Sequence, residues 1–351
     1  MSYIAKPKVS HPKSPRNKLG LTARDYEGVV STLCAGCGHD SITAAIIQAV
    51  FELGLEPHML AKMSGIGCSS KTPAYFVSQA HGFNSVHGRM ASVTTGANAA
   101  NHDLTYIGVS GDGDSLSIGM GQFAHVIRRN LDMCYMIENN GVYGLTKGQY
   151  SASADIGSVA KKAEPNRQMP IDPVSTAIGL GATYIARSFS GDKQQLVPLI
   201  KGALMHKGFA LLDVISPCVT FNDNEGSTKS YAHTRKHFHH VIDADFIAPS
   251  EEIVAAYDEG EAMPVKMHDG SQIVFRKLDE GYDPTSRAAA FTFLRDSIHK
   301  GEISTGLLYI DEAAGDMHSD ASTVSTPMSH LTYDQLNPGS ENLAELMDRY
   351  R

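Results

Sequence analysis

The sequence has 351 residues, about twice an ordinary domain, which admits one large α/β domain with appendages or two of modest size. Hydrophobic residues at 42% against 19% charged exclude general disorder, and a net charge of −8 argues against a nucleic-acid partner, because such binders need surplus Lys and Arg to displace counterions from phosphates. No apolar run approaches the roughly 20 residues that span a bilayer and the N-terminus lacks the apolar core of a secretory signal, so no membrane partner and a cytoplasmic location are expected. There, five cysteines suit thiolate ligation better than a disulfide framework.

Residues 1–20 form a basic arm, with Lys6, Lys8, Lys13, Arg16 and Lys18 among Pro7, Pro12 and Pro15. Such an arm is a flexible tail or a strap over a partner chain. The stretch 21–240 reads as one domain. Short apolar runs at Met59–Met63, Thr105–Ser110, Met133–Glu138 and Ala210–Ile215 predict buried strands. Helical periodicity occupies Ser41–Leu53, Ser117–Arg129, Pro173–Leu180 and Lys193–His206. The alternation predicts an α/β fold, a parallel sheet covered by helices on both faces. Residues 241–351 read as a C-terminal α+β extension that packs on the main domain or on a partner: a hairpin over Val265–Lys277 turning at Asp269-Gly270-Ser271, a helix over Ser286–His299, a strand at Leu307–Asp311, then a polar tail.

Right-handed crossovers place all strand C-terminal ends along one edge, where ligands sit in open α/β sheets. Motifs follow each of the four runs: Gly65-Ile66-Gly67-Cys68-Ser69, Gly111-Asp112-Gly113-Asp114, Asn139-Asn140 and Ser216-Pro217-Cys218. A helix beginning near Ser115 would offer free N–H groups to an anion, and the glycines let that anion approach the main chain. Mg²⁺ prefers six oxygens and takes one or two from protein acids or amides, leaving the rest to phosphates and water. Asp112, Asn140 and the main-chain oxygen of Val142 are the expected protein ligands. Gly144, Leu145 and Thr146 follow and bring further donors toward a diphosphate. His87-Gly88-Arg89 adds an imidazole and a guanidinium suited to a phosphate or a polarised carbonyl; His87 stays open between a catalytic and a structural role.

Cys34 and Cys37 share a Gly-containing turn, and Cys68 and Cys218 stand at two of the strand ends, so folding is expected to gather all four. Four thiolates suit a [4Fe–4S] cluster or tetrahedral zinc. Structural zinc usually arrives on two paired knuckles, so one pair plus two isolated cysteines in a crevice favours the redox cluster. Cys134 lies inside an apolar run and reads as core.

The Gly-Asp-Gly to Asn-Asn spacing resembles the signature of thiamine-diphosphate enzymes. Together with Cys34-Ala35-Gly36-Cys37-Gly38-His39, His87-Gly88-Arg89, Arg128-Arg129-Asn130, Tyr143 to Gln149 and Ser216-Pro217-Cys218, the chain from about Leu33 to Tyr231 resembles the beta subunits of 2-oxoacid:ferredoxin oxidoreductases. Val219-Thr220-Phe221-Asn222 and Gly226 to Tyr231 resemble the 2-oxoglutarate enzymes more than the pyruvate ones. The resemblance implies a pyrophosphate-type thiamine-diphosphate fold with Mg²⁺ and a [4Fe–4S] cluster. It implies oxidative decarboxylation of a 2-oxoacid, with electrons passed singly to ferredoxin and the acyl group to coenzyme A, steps that also run in reverse. The alternatives are pyruvate or another 2-oxoacid, a non-redox decarboxylase or carboligase, and a non-catalytic scaffold. Thiamine enzymes ionise the cofactor through a Glu of a second α/β domain. About 110 residues precede Gly111 here, with only Glu27, Glu52 and Glu56 among them, so an alpha subunit is expected to donate that Glu.

Overall fold

Leu60–Ser64, Thr105–Gly111, Met133–Asn139 and Phe209–Ile215 are strands buried on both faces, as continuous apolar runs dictate. The computed structural model describes residues 11–146, 148–158, 164–219, 251–267, 270–337 and 339–351. The readings that rest on 220–250, including the resemblance carried by Gly226 to Tyr231, fall outside the described residues, as do Lys147 and Asp269.

In chain order the principal elements are α1 (Gly38–Leu53), β1 (Leu60–Ser64), β2 (His81–Asn84), α2 (Met90–Ala100), β3 (Thr105–Gly111), α3 (Met120–Arg128) and β4 (Met133–Asn139). A small hairpin, β5 (Val142–Tyr143) and β6 (Gln149–Tyr150), precedes α4 (Pro173–Leu180), β7 (Tyr184–Phe189), α5 (Lys193–Met205) and β8 (Phe209–Ile215). β9 (Ala262–Lys266), β10 (Gln272–Lys277), α6 (Arg287–His299) and β11 (Glu302–Ile310) follow. One nine-stranded sheet runs β2-β1-β3-β4-β8-β7-β11-β10-β9. The first six strands of that order are parallel; β11 joins β7 antiparallel, β10 lies parallel to β11, and β9 closes the edge antiparallel. The C-terminal segment therefore continues the main sheet.

Alternate residues of each strand feed opposite faces. Tyr135 and Ile137 enter one apolar cluster with Phe123, Val174 and Leu294 from α3, α4 and α6. Cys134 and Met136 enter the other with Ile42, Ile46 and Ile200 from α1 and α5. Phe209, fully buried, contributes about 1.5–3 kcal/mol by leaving water. α4 matches its predicted span to the residue: Asp172 accepts from Ser175 N at 2.9 Å at the N-cap, Pro173 stands at N1, and Gly181 ends the helix at φ +93°.

Three elements depart from the sequence pattern. β7 was not legible, because Arg187 and Ser188 interrupt its apolar run; Arg187 is buried all the same, paired with Asp172 and Asp213. α2 carries Val93, Thr94, Thr95 and Gly96, all weak helix formers, and holds its shape by packing on α3 and β3. The helix expected from Ser117 starts at Met120 instead, since Gly113–Ile118 wind as a wide π-type turn, a form that recurs at functional sites. Of the basic arm, the described part is tied down: Asn17 Nδ2 donates to Tyr26 Oη at 2.8 Å and to the Phe51 carbonyl at 3.0 Å.

Candidate functional site

The C-terminal ends of β1, β3 and β4 open on one cavity. Ile66, Gly67, Cys68 and Ser69 line it from β1, Gly111, Asp112, Gly113 and Asp114 from β3, and Asn140, Val142, Gly144, Leu145 and Thr146 from beyond β4. His87 completes that wall. Gly65 and Gly88 lie one layer behind. A Cβ on Gly65 would fall 1.8 Å from Asp114 Oδ2, and one on Gly88, at φ +67°, would meet the Gly119 nitrogen at 2.7 Å. Both glycines let the chain pass close behind Asp114. That carboxylate accepts from Gly88 N at 2.7 Å, Ile66 N at 3.3 Å and Ser110 Oγ at 2.7 Å, and it meets His87 Nδ1 as well. Asp114 thus anchors the loops, with His87 close beside it in the cavity wall.

Asp112 is buried, and its Oδ2 accepts the hydroxyls of Ser151 and of Ser153, the latter at 2.6 Å. Ser153 also stands 3.0 Å from Asn139 Oδ1, and Asn139 Nδ2 donates to Asp213 at 3.0 Å, which Arg187 Nε holds at 2.7 Å. Burial pushes the Asp112 carboxyl up, and hydroxyls and backbone N–H groups oppose this. A buried acid beside a cavity with an amide, Asn140, and a main-chain oxygen, Val142, in the same wall is a donor set that fits Mg²⁺. Asn140 Oδ1 accepts from Val142 N at 3.2 Å, which fixes the amide. Gly113 lies against the Tyr143 ring, where a Cβ would come within 2.4 Å, and Tyr143 Oη donates to the Gly113 carbonyl at 3.0 Å.

The four cysteines meet beside this floor. A Cβ on Gly144 would lie 3.5 Å from Cys68 Sγ and 3.7 Å from Cys218 Sγ, so both sulfurs flank one glycine. Burial first, then Cys218 and Cys34 nearby, pushes the Cys68 thiol up to about 11, and burial, with the same two neighbours, pushes Cys37 further. Among the described residues no three His, Cys, Asp or Glu side chains stand close enough together to hold a single metal ion as they are placed. Cysteines brought together from three separate segments are the donor type that a cube whose irons take one thiolate each would need. Cys134 sits apart, buried in β4.

Residues 65–214 match the family described as thiamine pyrophosphate enzyme, C-terminal TPP binding domain, thiamine pyrophosphate being thiamine diphosphate. The chain is 44% identical over 199 residues to the 2-oxoacid:ferredoxin oxidoreductase subunit beta of Saccharolobus solfataricus, covering 56% of this chain and 65% of that protein. It is 40% identical over 191 residues to the 2-oxoglutarate oxidoreductase subunit KorB of Mycobacterium tuberculosis, covering 54% and 51%. The match therefore spans less than two thirds of those two relatives. With the 2-oxoglutarate synthase subunit KorB of Methanocaldococcus jannaschii it reaches 69% of that protein at 36% identity and 54% of this chain. In three dimensions the chain superposes with a TM-score of 0.71 and 30% identity on a 2-oxoglutarate:ferredoxin oxidoreductase from Magnetococcus marinus, solved with 2-oxoglutarate, coenzyme A and succinyl-CoA bound. That likeness covers 93% of this chain and 96% of the other. The chain belongs to the beta subunits of 2-oxoacid:ferredoxin oxidoreductases. Its sheet carries the thiamine-diphosphate-binding domain of that family, the pyrophosphate-type fold that the motifs imply.

The matched segment begins at Gly65 and takes in Asp112, Asn140 and Gly144, while Cys34, Cys37 and Cys218 lie outside it. Three groups in the cavity wall have no counterpart in the expected contacts: His39, Glu138 and Tyr143. His39 and Tyr143 stand within recognised motifs without an assigned role. Glu138 carries no signal of its own, being the last residue of an apolar run; its place beside Asn139-Asn140 was the available clue.

Proposed function

We propose that this chain is the thiamine-diphosphate- and [4Fe–4S]-binding subunit of a coenzyme A-dependent 2-oxoglutarate:ferredoxin oxidoreductase, forming succinyl-CoA and CO₂ reversibly with an alpha subunit. The observation that carries the reading is the juxtaposition of Asp112 and Asn140 with the Cys68 and Cys218 sulfurs around Gly144, in and beside one cavity. When bound, thiamine diphosphate supplies the nucleophilic carbon that attacks the 2-oxoacid carbonyl, and the cluster beside it takes electrons singly on their way to ferredoxin. This chain's part is to hold and exclude. Asp112, Asn140 and the Val142 carbonyl clamp the magnesium and thereby the diphosphate. The glycines of β1 and β3 bring backbone N–H groups to the phosphates, and Thr146 adds a hydroxyl at the mouth. His87, beside Asp114, offers an imidazole in the wall of the cavity that would hold the substrate. Substrate choice rests on the 2-oxoglutarate names among the relatives and on the neighbour's bound ligands. No described helix is long and apolar enough to cross a membrane, and a cytoplasmic enzyme is the reading we adopt.

An anaerobic visible spectrum of the co-expressed pair tests this. Iron–sulfur absorption that bleaches on adding 2-oxoglutarate with coenzyme A is expected. A colourless complex that still decarboxylates a 2-oxoacid would establish the non-redox thiamine enzyme instead.

A further inference from the structure

Glu138 and His39 are fully buried in the cavity wall, and their described bonds run to neither Asp112 nor Asn140. They run to the cysteine segments. Both Glu138 carboxyl oxygens stand 3.0 Å from Thr72 Oγ1, and Thr72 lies in the turn that Cys68 initiates. Glu138 Oε2 is 3.4 Å from His39 Nδ1 in the first turn of α1, whose N-cap is Cys37. The same nitrogen is 2.6 Å from Ser216 Oγ, two residues before Cys218. Gly38 N reinforces this last tie by donating to the Pro217 carbonyl at 3.4 Å, and a Cβ on Gly38 would strike Ser216 Oγ at 2.7 Å.

We infer that Glu138 is a positioning residue for the sulfur site: a buried post to which the segments bearing Cys68, Cys34–Cys37 and Cys218 are tied through Thr72, His39 and Ser216. The inference rests on the cluster reading above. The post stands at the end of β4, and Asn140, two residues on, lines the proposed diphosphate site. One strand end therefore sets both the magnesium clamp and the spacing of the thiolates. A seam of ordinary core contacts would not need polar side chains from three separated segments linked to one carboxyl, Thr72 and His39 beside it and Ser216 through His39, since each buried polar group costs free energy unless it is bonded. Partners one shell behind metal ligands commonly change metal retention by about 10–100-fold when removed.

The test uses the purified alpha–beta complex under anaerobic conditions, comparing Glu138→Gln, Glu138→Ala, Thr72→Val and Ser216→Ala with the parent. Iron loss to a chelator is expected to run about 10-fold faster in Glu138→Ala and in Thr72→Val, with Ser216→Ala shifted in the same direction. Glu138→Gln, which keeps shape and bonding atoms, restores parent-like retention and the parent reduction midpoint in a mediated titration, while Glu138→Ala moves that midpoint. The Glu138→Ala/Thr72→Val double variant loses iron no faster than Glu138→Ala, because one spoke cannot be cut twice. Parent-like retention in Thr72→Val and Ser216→Ala overturns the post, as does strict additivity in the double variant. These two variants carry the test if Glu138→Ala does not fold. A parent complex devoid of iron removes the cluster reading itself, and the post with it.

Discussion

A buried carboxylate is expensive unless something cationic or a set of donors compensates it. Asp112 has two serine hydroxyls on Oδ2 and backbone N–H groups nearby, and in the function proposed above a divalent ion would complete the site. Asp112→Ala should abolish thiamine-diphosphate retention, with magnesium-dependent binding weakened at least about 100-fold in calorimetry. Circular dichroism should stay native-like, since the serines can turn to each other: Ser151 and Ser153 hydroxyls are already 3.1 Å apart. The cysteines divide just as sharply. Cys68 flanks Gly144 in the cavity wall, whereas Cys134 packs against the α1 and α5 face. Cys68→Ser should lower the iron content of the purified complex and its reduction of ferredoxin, and Cys134→Ser should leave both near parent values. Equal loss in the two would transfer a ligand role to Cys134.

The elements most legible in the sequence were those whose burial is one-sided or complete. β1, β3, β4 and β8 announce themselves as apolar runs, and α4 and α6 by capping residues and period. β7 hid because its Arg187 finds buried carboxylates on α4's N-cap and on β8, a tertiary pairing that no local pattern encodes. That β11 docks antiparallel on β7 is likewise a matter of long-range register. The motifs at the strand ends do line one cavity; the hub around Glu138 was invisible, because lone Glu and His residues carry no period. β1 holds a further polar intrusion. Lys62 is buried there, its ammonium donating to the carbonyls of Phe76 at 2.8 Å and Val77 at 2.9 Å, while Val77 sits at φ +35°, a costly conformation for a β-branched residue. Burial pushes Lys62 down from 10.5 to about 8. Above about pH 8 the folded chain releases this proton while the unfolded chain keeps it up to about 10.5, so Lys62 makes stability rise with pH across that window and the contribution is lost as pH falls through 8. Lys62→Met should be destabilised at pH 7, with two carbonyls left bare at a strained turn. Its melting-temperature deficit against the parent should widen from pH 8 to pH 10; a constant deficit would mean that Lys62 titrates normally.

At the scale of the whole molecule the cavity is open, and its rim is apolar. Ile66 and Leu145 line it while remaining 37% and 49% exposed; Val86, next to His87, is 72% exposed, and Ile118, whose backbone abuts Gly88, is 47% exposed. Such a patch around a polar site marks a surface that another protein covers. None of the three glutamates ahead of Gly111 reaches the cavity wall: Glu52 pairs with Lys201, Glu56 with His58, and Glu27 bridges to Phe76 by its backbone. Glu138 does line the cavity, but Thr72 engages both of its oxygens. The proposed alpha subunit thus has a chemical reason to sit on this rim, since it would bring the carboxylate that the aminopyrimidine needs and would seal the site from water. Val86→Glu with Ile118→Glu places two charges in the middle of that contact without touching the cavity lining. Desolvating them should cost enough to weaken co-purification with the alpha subunit about 10-fold or more, while the isolated chain keeps its fold. An undiminished complex on size exclusion would mean that the rim faces solvent in the assembly, and the ionising carboxylate would then have to come from within this chain.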